Sequence, residues 1–168
     1  VDDYNIVDAT PFDRDPLAEL ADACRRHGLK LGLYYSQDLD WHEPNGGDPG
    51  PDYPKNHGEM SWSNDWDFPD YDAKDYSITF ERKIKPQVRE ILTRYGPIAV
   101  LWFDTPVSIS KAQSEELVAL VRELQPDCLI NTRIGNGLGD YGSMGDNQVP
   151  YGPLSATQGS HRCWEVPA

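Results

Sequence analysis

The stretch Ile98-Ala99-Val100-Leu101-Trp102-Phe103-Asp104 decides the fold. An unbroken apolar run halted by Asp104-Thr105-Pro106 carries the signature of a strand covered on both faces, as in a parallel sheet. Just upstream, Tyr95-Gly96-Pro97 stops a helical pattern over about residues 78–94, with Ile84, Val88, Ile91 and Leu92 on one face. Pro86 either bends that helix or marks a later start. Downstream, residues 110–124 form a second amphipathic helix with Leu117, Leu120, Val121 and Leu124 inward. Pro126-Asp127 then turns the chain into a short strand, Cys128-Leu129-Ile130, which hands over to Asn131-Thr132-Arg133.

Towards the N-terminus the same alternation continues. Residues 4–7 are a short apolar run that reads as a strand, and Asp8-Ala9-Thr10-Pro11 is a turn. Pro16 opens a helix with Leu17, Leu20, Ala21 and Cys24 at helical spacing, and Gly28 stands where a C-cap belongs. Residues 29–35 follow as a strand. Residues 36–77 are the exception: a long loop rich in Pro, Gly, Asp and Asn. Its aromatics Trp41, Tyr53, Trp62, Trp66, Phe68 and Tyr71 argue for a substrate-binding insertion rather than disorder. The whole reads as α/β, with about four β/α units of a (β/α)8 TIM-type barrel. A doubly wound sheet would give the same alternation. A complete barrel usually needs roughly 250 residues, so residues 1–168 are expected to be the central part of a catalytic domain, truncated at both ends.

Composition narrows the function classes. A net charge of −13 disfavours nucleic acid and anionic membrane surfaces as partners. No apolar run reaches the roughly 18 residues of a membrane span. Five Trp and nine Tyr suit the flat faces of sugar rings, although core packing uses the same residues. Cys24, Cys128 and Cys163 are odd in number and far apart, so they suggest neither a disulfide framework nor a zinc site. His42-Glu43 and the His57/Glu59 pair lie in the long loop without a metal-ligand motif and read more simply as loop contacts than as metal ligands.

Barrel enzymes build their sites at the C-terminal ends of strands. Those ends here are Tyr34-Tyr35-Ser36, Trp102-Phe103-Asp104 and Asn131-Thr132-Arg133. A carboxylate closing a greasy strand is either a catalytic group or a cap on the next turn. Arg133 either pairs with it or is structural. Asp140, Asp146 and Glu165 offer the second carboxyl group that a glycosidase needs.

These strand ends carry a resemblance. Leu31-Gly32-Leu33-Tyr34-Tyr35-Ser36 followed by Asp40-Trp41, then Tyr95 to Asp104, then Asn131-Thr132-Arg133, resemble the α-L-fucosidases of glycoside hydrolase family 29 in order and spacing. The resemblance implies a retaining exo-hydrolase, free of cofactor, that removes terminal α-L-fucose from fucosylated oligosaccharides or glycoconjugates. It implies that Asp104 is the nucleophile, that Tyr34, Trp41, Trp102 and Arg133 line the fucose pocket, and that the protein is secreted or periplasmic. Where many members carry a Glu beyond the Arg, this chain reads Ser143-Met144-Gly145-Asp146. Asp146 is therefore the first acid/base candidate and Glu165 the second, the alternative for Glu165 being a structural contact. The His and His-His that hold fucose hydroxyls in the family are not found here. A glycosidase of other sugar specificity and a noncatalytic carbohydrate-binding protein stay open beside the fucosidase reading.

Overall fold

The computed structural model describes residues 2, 4–46, 64, 67–148 and 163–167. Helix α1 (Pro16–His27) starts where the sequence signals it. The Asp15 side chain accepts the N–H groups of Leu17 and Ala18, and Pro16 needs no partner at the first helical position. Gly28, at φ 67°, ends the helix in the left-handed conformation. Ala21 is the buried residue of its inner face, whereas Leu20 is 47% exposed.

Strand β1 (Leu31–Ser36) follows, and the chain then leaves the sheet for the long loop. Tyr53, Trp62, Trp66, His57 and Glu59 lie outside the described residues. The chain re-enters at α2 (Tyr76–Thr79), runs through a π-helical turn at Phe80–Ile84 and continues as α3 (Lys85–Arg94). Pro86 explains the widened turn. Its ring lacks an N–H and would clash with the carbonyl four residues back, so the turn before it opens rather than breaking the helix. The widening also carries Phe80 and Ile84 into the core, at 1% and 2% exposure.

Strand β2 (Ile98–Asp104) lies parallel to β1, with Tyr34 opposite Trp102 and Ser36 opposite Asp104. Helix α4 (Lys111–Leu124) opens with a reciprocal cap between Ser110 and Gln113 and buries Leu117 and Val121 completely. Strand β3 (Leu129–Ile130) then joins the other side of β2, again parallel. Beyond it, Asn131 bridges Tyr141, and β4 (Gly142–Ser143) pairs with β5 (Trp164–Glu165). Among the described residues every strand pairing is parallel and joins neighbours in chain order.

Two expectations need correction. Residues 4–7 form turns, not a strand. The Asn5 side chain accepts the N–H groups of Val7 and Asp8, so that backbone is satisfied locally and has nothing to offer a ladder. Strand β2 is also less uniformly buried than its run of apolar residues suggests. Leu101 and Phe103 are fully buried beneath the helices, while Trp102 and Asp104, on the opposite face, are only partly covered.

Candidate active site

The parallel register decides which side chains meet. Because Tyr34 stands opposite Trp102 on the face away from the helices, their rings stack with centroids 5.5 Å apart. Asp104, two residues beyond Trp102, points to the same face. The Tyr34 hydroxyl donates to Asp104 Oδ2 at 3.0 Å, and Arg133 Nη1 donates to Oδ1 at 2.8 Å. Each carboxylate oxygen thus has a donor from a neighbouring strand end. Burial, and then the Asp104 charge, raise the Tyr34 pKa and keep its hydroxyl in the donating form.

Arg133 binds more than Asp104. Its Nη2 donates to Asp146 Oδ1 at 2.5 Å and to the Met144 carbonyl at 2.8 Å, and Nε donates to Ser143 Oγ at 3.0 Å. Its guanidinium carbon also lies 4.9 Å from the centre of the Trp102 ring. Burial works against the charge, yet Asp104 and Asp146 outweigh it and leave the guanidinium pKa raised. One planar fork therefore holds two carboxylates over an aromatic face. Asp104 is sheltered, with 18% of its side chain exposed, whereas Asp146 is open to solvent at 69%.

Glu165 enters from β5 and accepts the indole N–H of Trp102. Tyr141 also bonds Glu165, and burial together with that carboxylate pushes its hydroxyl pKa up. Of the residues expected in the site, Tyr34, Trp102, Asp104, Arg133, Asp146 and Glu165 form one connected network. Trp41 does not join it. It is 57% exposed in the loop after β1, and nothing ties it to the network among the described residues. Asp140 also stands apart, accepting Arg122 and the Ile130 N–H.

Sequence reasoning missed Gln37, Asp38, Tyr141 and Ser143. Gln37 and Asp38 are 2% and 1% exposed, a burial that no periodicity announces at the start of a loop. Their one signal is position, directly after a strand end. Among the described residues no group of three or more His, Cys, Asp or Glu is placed to hold a metal ion. A cavity of about 570 Å³ lies on the other side of β1, lined by Tyr4, Asp15, Tyr35, Gln87 and Tyr95, and contains none of the site residues.

With this geometry the comparisons agree. The family model described as Alpha-L-fucosidase matches residues 1–164. The chain belongs to the alpha-L-fucosidase family. Among solved structures, this chain is similar to alpha-L-fucosidase AlfC from Lactobacillus casei bound to its α-L-fucose product. The identity is 55% and the TM-score 0.81, over 89% of this chain and 46% of that one. The alpha-L-fucosidase of Vibrio sp. strain EJY3 follows at 35% identity and TM-score 0.75, over 88% of this chain and 25% of that one. Isoenzyme 1 from Paenibacillus thiaminolyticus matches at 32% and 0.74, over 98% of this chain and 39% of that one. No curated protein matches. The chain thus spans somewhat under half the length of AlfC.

Proposed function

We propose that this chain carries the nucleophile of a retaining exo-α-L-fucosidase acting on terminal fucosyl groups of oligosaccharides or glycoconjugates. The observation that carries the reading is Asp104 itself: a sheltered carboxylate at a strand end, oriented on one oxygen by Tyr34 and on the other by Arg133. AlfC has been captured with α-L-fucose, with Fucα(1,6)GlcNAc and with 4-nitrophenyl α-L-fucopyranoside, which supports this substrate class.

In this reading Asp104 attacks the anomeric carbon as the aglycone oxygen leaves with a proton from the acid. The product of that step is a fucosyl ester on Asp104. Water, deprotonated by the same second carboxylate, then cleaves the ester and releases fucose with retained configuration. A retaining mechanism needs a second carboxyl group close to the nucleophile, and Arg133 binds both Asp104 and Asp146 through its two terminal nitrogens. This favours Asp146 as acid/base, since it is also open to water. Glu165 is the second choice, because its oxygen is already engaged by the Trp102 indole. Tyr34, Trp102 and Arg133 would form the wall of the sugar pocket. The parallel strands in chain order support a segment of a (β/α)8 barrel, residues 1–168 being its central part. A secreted or periplasmic enzyme is the expected compartment for such a substrate.

The test uses the complete polypeptide that contains this chain, assayed on an aryl α-L-fucoside. Asp104→Ala is expected to lower turnover at least about a thousandfold; normal turnover in that variant would falsify the nucleophile assignment. Azide should partly restore Asp146→Ala, giving a fucosyl azide. Rescue of Glu165→Ala instead transfers the acid/base role to Glu165. A wild-type protein that binds fucose without turning over a fucoside points to the noncatalytic alternative.

A further inference from the structure

We propose that Gln37 and Asp38, the two residues directly after β1, are positioning residues that hold Asp104 and Arg133 in register with each other. The proposal rests on the fucosidase reading above and adds residues that touch neither sugar nor reacting atoms.

Both side chains leave β1 and reach the two other strand ends of the site. Gln37 Nε2 donates to the backbone carbonyls of Arg133 and Ile134, at 3.2 and 3.3 Å. The Gln37 backbone N–H donates to the Asp104 carbonyl at 3.2 Å. One residue therefore grips the main chain of both the nucleophile and the guanidinium that orients it. Asp38 holds the segment just past Asp104. Its Oδ2 accepts the N–H groups of Val107, at 2.6 Å, Ser108 and Ile109, the last at 3.3 Å.

Between these anchors lies Thr105, whose φ of 56° is unusual for a β-branched residue. Its hydroxyl donates to the Asp104 carbonyl at 2.8 Å and meets Ser36 Oγ at 3.1 Å. A left-handed turn directly after the nucleophile needs neighbours that over-determine it, and Asp38 supplies them on the far side.

The chemistry of the pair argues against a purely structural role. A carboxylate that is 1% exposed gives a weak net return in stability compared with an apolar residue of similar volume. What it gives is direction, because three N–H groups converging on one oxygen fix the path of the backbone. The Tyr76 hydroxyl completes the clamp from α2, donating to the Gln37 carbonyl at 3.1 Å and lying beside Asp38.

The experiment compares Gln37→Met, Asp38→Ala and Asp38→Asn in the complete polypeptide on an aryl α-L-fucoside. Each is measured well below its own Tm and normalised to folded protein. A displacement of about 1 Å at a reacting centre lowers rate roughly a hundredfold, so kcat should fall about 10- to 100-fold in Gln37→Met and Asp38→Ala. KM should stay within about threefold, since the pair does not contact the substrate. Asp38→Asn, which keeps an acceptor oxygen, should recover most of kcat. Wild-type kcat per folded molecule in Gln37→Met and Asp38→Ala, with only a lower Tm, overturns the proposal. If Asp38→Ala does not fold, Gln37→Met decides. Asp104→Ala runs alongside: retained turnover there sinks the nucleophile assignment on which the clamp rests, while loss there with full turnover in Gln37→Met sinks the clamp alone.

Discussion

Arg133 spends three nitrogens on four acceptors: Ser143, Met144, Asp104 and Asp146. Lysine carries one nitrogen and no planar fork, so Arg133→Lys keeps the charge and loses the bridge. Its kcat/KM should fall about a hundredfold, equivalent to about 2.7 kcal/mol of transition-state stabilisation, and steady-state kinetics on an aryl fucoside would show it. Tyr34→Phe removes one donor from Asp104 and leaves the stack on Trp102, so a loss of about tenfold is expected. Asp38 makes a different prediction, read in stability. Burial raises its pKa above the ordinary 3.8, against the pull of Tyr76 and the three N–H groups. A raised folded pKa means that its contribution is complete below the unfolded value and is lost as pH rises through the folded one. Asp38→Asn should therefore flatten the decline of the urea midpoint from about pH 4 upward, whatever its absolute stability; an unchanged slope would discard the assignment. At this scale the sequence was informative wherever a functional side chain ends a strand, as with Tyr34, Asp104 and Arg133. It was silent on Gln37 and Asp38, whose partners are backbone groups about seventy and a hundred residues away.

The helices and turns respond to local rules, and most of them could be read in advance. The Ser110–Gln113 cap fixes where α4 begins, so Ser110→Ala should cost about 1 kcal/mol in denaturant unfolding and leave turnover intact. Gly139 is a harsher case. It sits at φ 119°, and an added Cβ would stand 2.7 Å from the Asn131 carbonyl oxygen, a backbone atom that cannot step aside. Asn131 in turn donates to the Phe103 carbonyl and accepts its N–H, both at 2.9 Å. Gly139→Ala should consequently push on β2 itself, with a stability loss of about 2–3 kcal/mol and a measurable drop in kcat. The elements that escaped the sequence reading did so for physical reasons. Residues 4–7 have the composition of a strand, but Asn5 closes their hydrogen bonds on the spot. The π-helical turn follows from Pro86, yet a bend and a late start explain that proline equally well until the backbone is seen.

At the scale of the molecule, alternation of strand and helix made the α/β class legible, and the unbroken run from Ile98 to Phe103 made its parallel sheet legible. Closure was not, because neighbouring parallel strands look alike in a barrel and in an open sheet. Among the described residues β1 is paired on one side only, by β2, and its outer edge presents a row of unused donors and acceptors. The 168-residue chain by itself is therefore expected to associate or unfold and to show no hydrolysis; activity on an aryl fucoside from the isolated chain would contradict this. The order of the strands has one more consequence, and it concerns how such a chain is made. Since β1, β2 and β3 lie side by side in the sequence in which they leave the ribosome, each new strand emerges after its partner, with helical chain in between to cover the seam. Translation and folding can run in the same direction, and a pause before β2 would leave β1 waiting for its neighbour with its sheet edge open to strangers.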